Sequence, residues 1–470
     1  MAFARILRAS ALMGGASVVV LLAGFVRAKV IAVVLGASGV GLIGLFQAFS
    51  GNLAALAGWG LAIAGVRTVA AAAPTERAGK MAAVRRAGLL LGAAGLLLAL
   101  LVAWPAEAWA FPGEQRLTEL LVVAVAVPCL IVAGAAAALL QASGEVTALA
   151  RLQVVAAAAG LALGLPAIWC WGEAGIAFSV LSAALATAVC LWHRASRTCP
   201  EAATTPVRPG DLAELGRLGA ALMVAGWLAQ LSAYLVRLYI IRAEGLDAAG
   251  YYQAAYALAG ALPGFVFAAM AADFFPRVSA AEGESEALAL VENQILVALL
   301  LGVPLLGALL CLGPWSLRWL YSAAFDPAQP LLVWMIWGVF LRLFTWPLGF
   351  WLLARASASQ VIVVEVVAAV AMTLGPVLLL PHLGLVGAAA GFFVGSSLHG
   401  ALLLWLVRRR AGRFVRPTIQ FAVIGAALAL ALVQLGAAYH SGLGAALGGL
   451  LLAAVSVAAY RLHRATRSQA

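Results

Sequence analysis

Residues 21–49 read LLAGFVRAKVIAVVLGASGVGLIGLFQAF, an apolar run that carries only two charges, Arg27 and Lys29. A helix needs about 20 apolar residues to cross a bilayer, so this stretch holds the end of one span and the start of another. The same character extends over the whole chain of 470 residues, of which 65% are hydrophobic and 10% charged. A soluble domain is about half apolar and a quarter charged, which excludes a soluble enzyme and a disordered chain.

Fourteen apolar segments are long enough to span a membrane. They lie at about 9–35, 40–71, 87–105, 117–140, 150–171, 174–193, 216–242, 250–275, 288–312, 331–354, 358–381, 383–407, 417–438 and 442–460. The connections between them are short and leave no room for a soluble domain on either face. We predict an all-α polytopic membrane protein with about 14 transmembrane helices.

Motifs for cofactors and metals are missing or out of context. The five cysteines show no C-x-x-C spacing, and no H-E-x-x-H occurs. Residues 39–44 match G-x-G-x-x-G, but they join two apolar spans, whereas a dinucleotide site needs a preceding strand. We expect no cofactor, no metal and no disulfide framework.

The charges predict the orientation in the membrane. The chain has 29 Lys and Arg against 18 Asp and Glu. With the N-terminus in the cytoplasm, 21 of the cations lie in inner segments, three in outer segments and five inside spans. Positive charges are enriched in cytoplasmic loops, so we expect both termini to be cytoplasmic. Membrane topology also explains the basic balance without a nucleic-acid partner.

An internal repeat divides the spans into six and six. Residues 26–27 and 44–48 read V-R and G-L-F-Q-A, while residues 236–237 and 250–254 read V-R and G-Y-Y-Q-A. Both copies start on the same side, which is typical of a parallel repeat; chance similarity in a biased composition is the alternative. The predicted organisation is an N-terminal lobe 1–193, a cytoplasmic linker 194–215, a C-terminal lobe 216–407, and an added two-helix hairpin with a cytoplasmic tail at 408–470.

Charges inside apolar spans are the candidate functional residues. A central charge that faces lipid costs about 2.5–3.5 kcal/mol, so such residues line a wet cavity, pair or snorkel to the surface. The cations are Arg27, Lys29, Arg67, Arg237 and Arg342, and the acids in or near spans are Asp273, Glu292 and Glu365. The excess of cations predicts a cavity for an anionic substrate.

Helical spacing indicates where two of the cations point. Gly24 and Arg27 end a small and polar stripe on span 1, and Gln230 and Arg237 end a similar stripe on span 7. The stripes predict a cavity lining, with packing seams and outward-snorkelling arginines as the alternative. Lys29 is about 200° round the helix from Arg27, so a straight helix cannot turn both into one cavity.

Two charge pairs are predicted. We expect a structural pair of Arg342 and Glu365, with ion coupling through Glu365 as the alternative. The repeat offset of 206 carries Arg67 onto Asp273 near the cytoplasmic ends of spans 2 and 8, which predicts an inner gate pair. The alternative for that pair is that each side chain reaches its own headgroup region.

Glycines at four-residue spacing, at 387, 391 and 395 and again at 444 and 448, allow close helix contact. The spacing favours packing within the chain over a homodimer face.

The stretch 21–49, together with AGWGLAIAGVRTVA at 57–70, resembles the amino-terminal signature of Wzx-type O-antigen translocases, which are flippases of lipid-linked oligosaccharides. AADFFPRVS at 271–279 is similar to a P-x-x-S element of the same family. These proteins belong to a superfamily with multidrug exporters and peptidoglycan-precursor flippases. The resemblance implies two six-helix lobes around a central cavity lined chiefly by helices 1, 2, 7 and 8. The two extra spans are typical of peptidoglycan-precursor flippases.

The resemblance implies that the chain flips an undecaprenyl-diphosphate-linked oligosaccharide outward across the bacterial inner membrane by alternating access. Arg27, Arg237 and Lys29 are then the candidates for holding the diphosphate, and a polysaccharide polymerase and a chain-length regulator are the expected protein partners. The alternatives are a peptidoglycan-precursor flippase or a cation-coupled multidrug exporter of the same fold, and a membrane-embedded glycan polymerase or glycosyltransferase. The exporter should carry more cavity acid than base, and the enzyme a sizeable outer loop.

Overall fold

Helices account for nearly all of the chain in the computed structural model, which describes residues 2–439 except 112, 114, 413 and 414, together with residues 447 and 448. The described residues contain no strand. Eleven of their helices are long and apolar enough to cross a membrane. Two more helices, of 36 and 35 residues, occupy the predicted spans 7 and 8. The predicted all-α membrane fold is therefore confirmed, and the predicted last span at 442–460 lies outside the described residues apart from 447 and 448.

Contacts divide the chain into two compact units, Met1–Gly250 and Tyr251–Ala470. The first unit thus includes the seventh predicted span. The predicted lobe boundary at 194–215 rests on span order and not on contacts, and it stays a prediction. The helices of the first unit are α1 Ala2–Val34, α2 Gly36–Ala57, α3 Leu61–Ala71, α4 Pro74–Ala110, α5 Leu117–Ala124, α6 Ala126–Ala142, α7 Val146–Trp171, α8 Glu173–Thr198, α9 Glu201–Thr204 and α10 Pro209–Glu244.

Small side chains hold the first unit together. The helix α6 packs against α3, α4 and α8, and its contact face carries the buried Ala133, Ala135, Ala136 and Ala138. The hydrophobic effect does not drive helices together within lipid. Small residues stabilise helix packing there because they let the backbones approach closely. Leu215, at the start of α10, is buried in the same cluster.

Two predicted spans are interrupted. Pro128 has no N–H to donate to Ala124, and the helix accordingly breaks between α5 and α6. The predicted span 40–71 ends as α2 at Ala57, and α3 begins only at Leu61. Between them, Gly60 adopts a left-handed φ of +65°.

The second unit is built around α13 and α15. Its helices are α11 Leu246–Ala280, which begins in the first unit, α12 Glu284–Leu320, a 3-10 turn Ala323–Ala328, α13 Gln329–Arg355, α14 Ala358–Leu383, α15 Leu385–Ala411 and α16 Pro417–Tyr439. The helix α15 packs against both α13 and α14.

The glycine stripe on α15 serves this packing. A Cβ atom at Gly391 would lie 2.1 Å from the backbone nitrogen of Pro376, and one at Gly387 would lie 2.2 Å from the carbonyl oxygen of Leu379. A side chain cannot be accommodated at either place, because the obstacle is the backbone of α14. The interpretation of these glycines as packing within the chain is confirmed.

The helix α16, which corresponds to predicted span 13, is fixed to this unit by polar contacts. Arg416 precedes the helix and pairs with the buried Glu292 of α12, with 2.9 Å between Nε and Oε2. Further along, Trp337 of α13 donates its indole N–H to Oε1 of Gln434 at 2.7 Å. These contacts make α16 an integral part of the second unit.

Candidate functional site: a polar surface on α1, α2 and α10

Glycines bring α2 and α10 together at one end of their shared seam. A Cβ atom at Gly60 would lie 2.5 Å from the carbonyl oxygen of Gly219, and one at Gly219 would lie 2.2 Å from that of Trp59. The close approach allows Trp59 to donate its indole N–H to the carbonyl of Gly216 at 2.9 Å. The left-handed Gly60 and the bare Gly219 are therefore both needed to seat the start of α10.

An ion-pair cluster adds to this attachment. Lys80 of α4 lies 2.9 Å from the carboxylate of Asp211 and also pairs with Glu214, both on the first turns of α10. The side chains of Lys80 and Asp211 are 12% and 13% exposed, so the pair is better shielded from screening than an ordinary surface pair.

The opposite end of the seam is as tight. A Cβ atom at Gly41 would lie 2.4 Å from the carbonyl oxygen of Leu246, and one at Gly250 would lie 1.9 Å from that of Ala37. The α2 region thus approaches α10 at one end and the first turns of α11 at the other, and α2 and α10 run antiparallel.

Between these ends the seam becomes polar. Phe49 and Tyr234 contact each other with 6.1 Å between ring centroids. One turn away, a Cβ atom at Gly51 would lie 3.5 Å from Nε2 of Gln230, whose side chain is exposed. Arg237 is 7% exposed and donates from Nη1 to the carbonyl of Ala233 in its own helix at 2.8 Å.

Two buried polar atoms near this level have no hydrogen-bond partner in the part of the chain that the structure describes. They are Oδ1 of Asn52 on α2 and Nε1 of Trp227 on α10. An unsatisfied buried donor or acceptor costs about 1–3 kcal/mol, so such groups indicate a place where a ligand supplies the missing partner. One acceptor and one donor suit hydroxyl groups. Neither residue is a candidate from its charge or spacing in the sequence, although an asparagine in an apolar span is a usable signal.

The helix α1 packs against α2 and α7 and carries the next candidate, Arg27. Arg27 is partly buried and makes no hydrogen bond and no ion pair with any described residue. A Cβ atom added at Gly14 or Gly24, which belong to the same predicted stripe, would have open space around it. The guanidinium of Arg27 therefore remains available for an anion.

Lys29 is also partly buried and has an interaction partner of its own. The stripe on α10 is divided: Gly219 packs against Trp59, whereas Gly226 has open space around it. The cavity interpretation thus applies only to the half of that stripe beyond Gly219.

The other predicted pairs stay predictions. Arg67 is exposed on α3, and the side chain of Asp273 lies outside the described residues. Arg342 and Glu365 form no ion pair within 4 Å in the described part, but the charge of Arg342 acts on Glu365 and also on His399. His399 was not singled out from the sequence, because an isolated histidine in a span carries no spacing signal.

No group of three or more His, Cys, Asp or Glu side chains comes together as a metal site among the described residues. What the arrangement on α1, α2 and α10 can do is hold an anion by arginine and adjacent polar groups by hydrogen bonds.

The chain matches a known protein family over the region that contains these residues. A profile for the family described as polysaccharide biosynthesis protein matches residues 6–282, which is more than half of the chain and includes α1 from residue 6 onward and all of α2 and α10. Comparison with curated protein sequences finds no match.

Solved structures share the fold at low sequence identity. An inward-facing multidrug resistance transporter of the MATE family in the MOP superfamily is 14% identical, with a TM-score of 0.68 over 84% of this chain and 94% of its own. The lipid II flippase MurJ in an inward closed conformation is 12% identical, with a TM-score of 0.68 over 96% of this chain and 99% of its own. The chain therefore belongs to the polysaccharide biosynthesis protein family and has the fold of MOP-superfamily transporters.

Proposed function

We propose that the protein is a flippase, not an enzyme, and that it moves an undecaprenyl-diphosphate-linked oligosaccharide, an O-antigen or related surface polysaccharide unit, from the cytoplasmic to the periplasmic leaflet by alternating access. The observation that carries the proposal is Arg27, which lies in a predicted membrane span, makes no hydrogen bond or ion pair with a described residue, and belongs to the region matched by the polysaccharide biosynthesis family. A cation without a partner inside a membrane span is costly unless an anion reaches it.

The proposed chemistry is recognition alone. Arginine presents a planar fork that binds phosphate oxygens in pairs, so Arg27 and Arg237 contact the diphosphate. The unsatisfied Asn52 and Trp227 offer an acceptor and a donor to the first sugar hydroxyls. The polyprenyl tail stays in lipid, and no bond is made or broken.

A peptidoglycan-precursor flippase is the second candidate. The structure known as a lipid II flippase covers 96% of this chain, and α16 adds a helix beyond a two-times-six arrangement. A multidrug exporter fits less well, because the spans carry five cations and three acids.

The proposed location is the bacterial inner membrane, with both termini in the cytoplasm. The distribution of cations supports this orientation, since 21 lie in the predicted inner segments and three in the outer ones. A polysaccharide polymerase and a chain-length regulator are the proposed partners after transport.

The test is transport by the purified protein in proteoliposomes. We expect wild-type protein to flip a fluorescent undecaprenyl-diphosphate-linked glycan, and Arg27→Ala to reduce transport by about tenfold or more, the loss expected for one charge-assisted contact. Arg237→Gln should act in the same direction and preserves more of the buried packing than alanine. Arg409→Gln, at an exposed position near the end of α15, is the matched control and should transport normally.

Full transport by a double Arg27→Ala, Arg237→Ala variant would refute the assignment of these residues. Transport of cationic drugs in place of lipid-linked glycans would refute the proposed substrate. Transport of lipid II in preference to other lipid-linked glycans would select the second candidate.

A further inference from the structure

A cavity of about 410 Å³ lies in the second unit. Its size is within the range of small-molecule sites, about 300–1,000 Å³. The walls come from α11, α13 and α15, and the larger side chains that line it are Tyr256, Phe267, Met335, Val339, Arg342 and Phe392.

Arg342 is the charged member of this lining. It occupies the midpoint of α13, and its side chain is exposed. It makes no hydrogen bond and no ion pair within 4 Å in the part of the chain that the structure describes. Because a lipid-facing arginine at mid-span is strongly disfavoured, its place on the cavity wall is the favourable one, and it leaves the guanidinium open to an anion.

Three aromatic side chains, Tyr256, Phe267 and Phe392, line the cavity together with aliphatic residues. Tyr256 contacts Phe392 edge to face, with 6.1 Å between ring centroids. Phe267 stacks on Trp346, one turn beyond Arg342 on α13, with 5.2 Å between centroids and 25° between ring planes. Aromatic faces pack against the apolar C–H face of a puckered sugar ring, while a guanidinium binds a carboxylate through two parallel hydrogen bonds. The lining therefore suits a ring that carries a carboxylate.

Two ionisable side chains interact electrostatically with Arg342. Glu365 on α14 and His399 on α15 both feel its charge, and neither makes a hydrogen bond or ion pair with a described residue. The Nε2 atom of His399 is buried and has no hydrogen-bond partner among the described residues. The negative charge of Glu365 repels an incoming anion and so weakens anion binding at Arg342. It does not form an ion pair with Arg342 that would occupy the guanidinium.

We infer that this cavity binds an acidic sugar, through a pair between Arg342 and the sugar carboxylate and through stacking on Tyr256, Phe267 and Phe392. The inference rests on the proposed function and deepens it: the glycan carried by this protein contains a uronic acid or another carboxylate-bearing sugar.

The test uses the full-length protein in lipid nanodiscs and saturation-transfer NMR with free sugars as probes. Sodium glucuronate should bind, whereas glucose at the same ionic strength should bind about tenfold more weakly or not at all. Arg342→Gln should remove this preference, and the matched control Arg409→Gln should retain it.

Glu365→Gln gives a result of the opposite sign. Removing the opposing charge should strengthen glucuronate binding, an outcome that a misfolded variant cannot produce. Equal binding of glucose and glucuronate, no effect of Arg342→Gln, or weaker binding in a folded Glu365→Gln variant would overturn the inference. Binding of pyrophosphate at Arg342 in place of glucuronate would overturn it as well.

The two proposals fail separately. Transport of lipid-linked glycans without glucuronate binding would overturn the acidic-sugar site alone. Glucuronate binding without transport of any lipid-linked glycan would overturn the flippase assignment and leave a sugar-binding membrane protein.

Discussion

The ion pair of Glu292 and Arg416 should respond very differently to the loss of each partner. The side chain of Glu292 is 1% exposed and that of Arg416 is 53% exposed. Arg416 contributes its Nε to one carboxylate oxygen and its backbone N–H to the other, each at 2.9 Å. The carboxylate thus lies in the protein interior, whereas the guanidinium is half in solvent.

Arg416→Gln leaves a buried carboxylate without this guanidinium. Breaking a fully buried pair costs about 3–5 kcal/mol, and exposure of the arginine lowers the expected loss of unfolding free energy to about 2–3 kcal/mol. Glu292→Gln removes the buried charge, keeps an oxygen for the backbone N–H and releases an arginine that solvent can hydrate. Its expected loss is about 1 kcal/mol. The double variant should resemble Glu292→Gln, because the buried charge is gone in both.

Equilibrium unfolding of the purified protein in mixed micelles, followed by tryptophan fluorescence, measures these differences. Arg409→Gln serves as the surface control and should change the unfolding free energy by no more than about 0.5 kcal/mol. The reasoning is refuted if Glu292→Gln is at least as destabilising as Arg416→Gln. Strict additivity in the double variant would also refute it, since two residues in one ion pair should couple.

Two further predictions concern the first unit and the gate. Gly219→Ala should lower the unfolding free energy by about 1–3 kcal/mol, because the new Cβ would lie 2.2 Å from the carbonyl oxygen of Trp59. Gly226→Ala is the control, because a Cβ there has open space around it. It should change the unfolding free energy by no more than about 0.5 kcal/mol in the same measurement. For the gate, Arg67→Asp and Asp273→Arg should each abolish transport in proteoliposomes, and the double charge swap should recover part of it; no recovery would contradict the pair.

Hydropathy was sufficient to predict thirteen spans that the described residues contain, because every backbone group in lipid must be satisfied within its own helix. It was not sufficient to predict the break between α2 and α3. Residues 58–60 read G-W-G inside an apolar stretch, and each is compatible with a continuous helix. What interrupts the helix is a tertiary contact, the close approach of Gly60 to Gly219, which lies 159 positions away in the sequence.

The positions of the intramembrane charges could also be predicted from the sequence. The groups that each charged side chain contacts could not. A charged residue in an apolar span is visible in the sequence, so Arg27, Arg237 and Arg342 all emerged as candidates. Which groups surround each one depends on helix rotation and on side chains from other helices. His399 and the unsatisfied Asn52 were therefore missed, since a search for charged residues in apolar spans selects neither of them.

The repeat illustrates the same limit within one pair of residues. Arg27 and Arg237 occupy equivalent places in two matching sequence copies, yet their surroundings differ. Arg237 is almost fully buried and donates to the carbonyl of Ala233, while Arg27 is only partly buried and makes no hydrogen bond with a described residue. A repeat specifies the position along a helix, whereas the environment depends on what packs against it. The hydrogen bond to its own helix orients the guanidinium of Arg237, whereas the guanidinium of Arg27 makes no hydrogen bond or ion pair with described residues and is more available to a ligand. The proposed diphosphate site therefore has one fixed and one adaptable arginine.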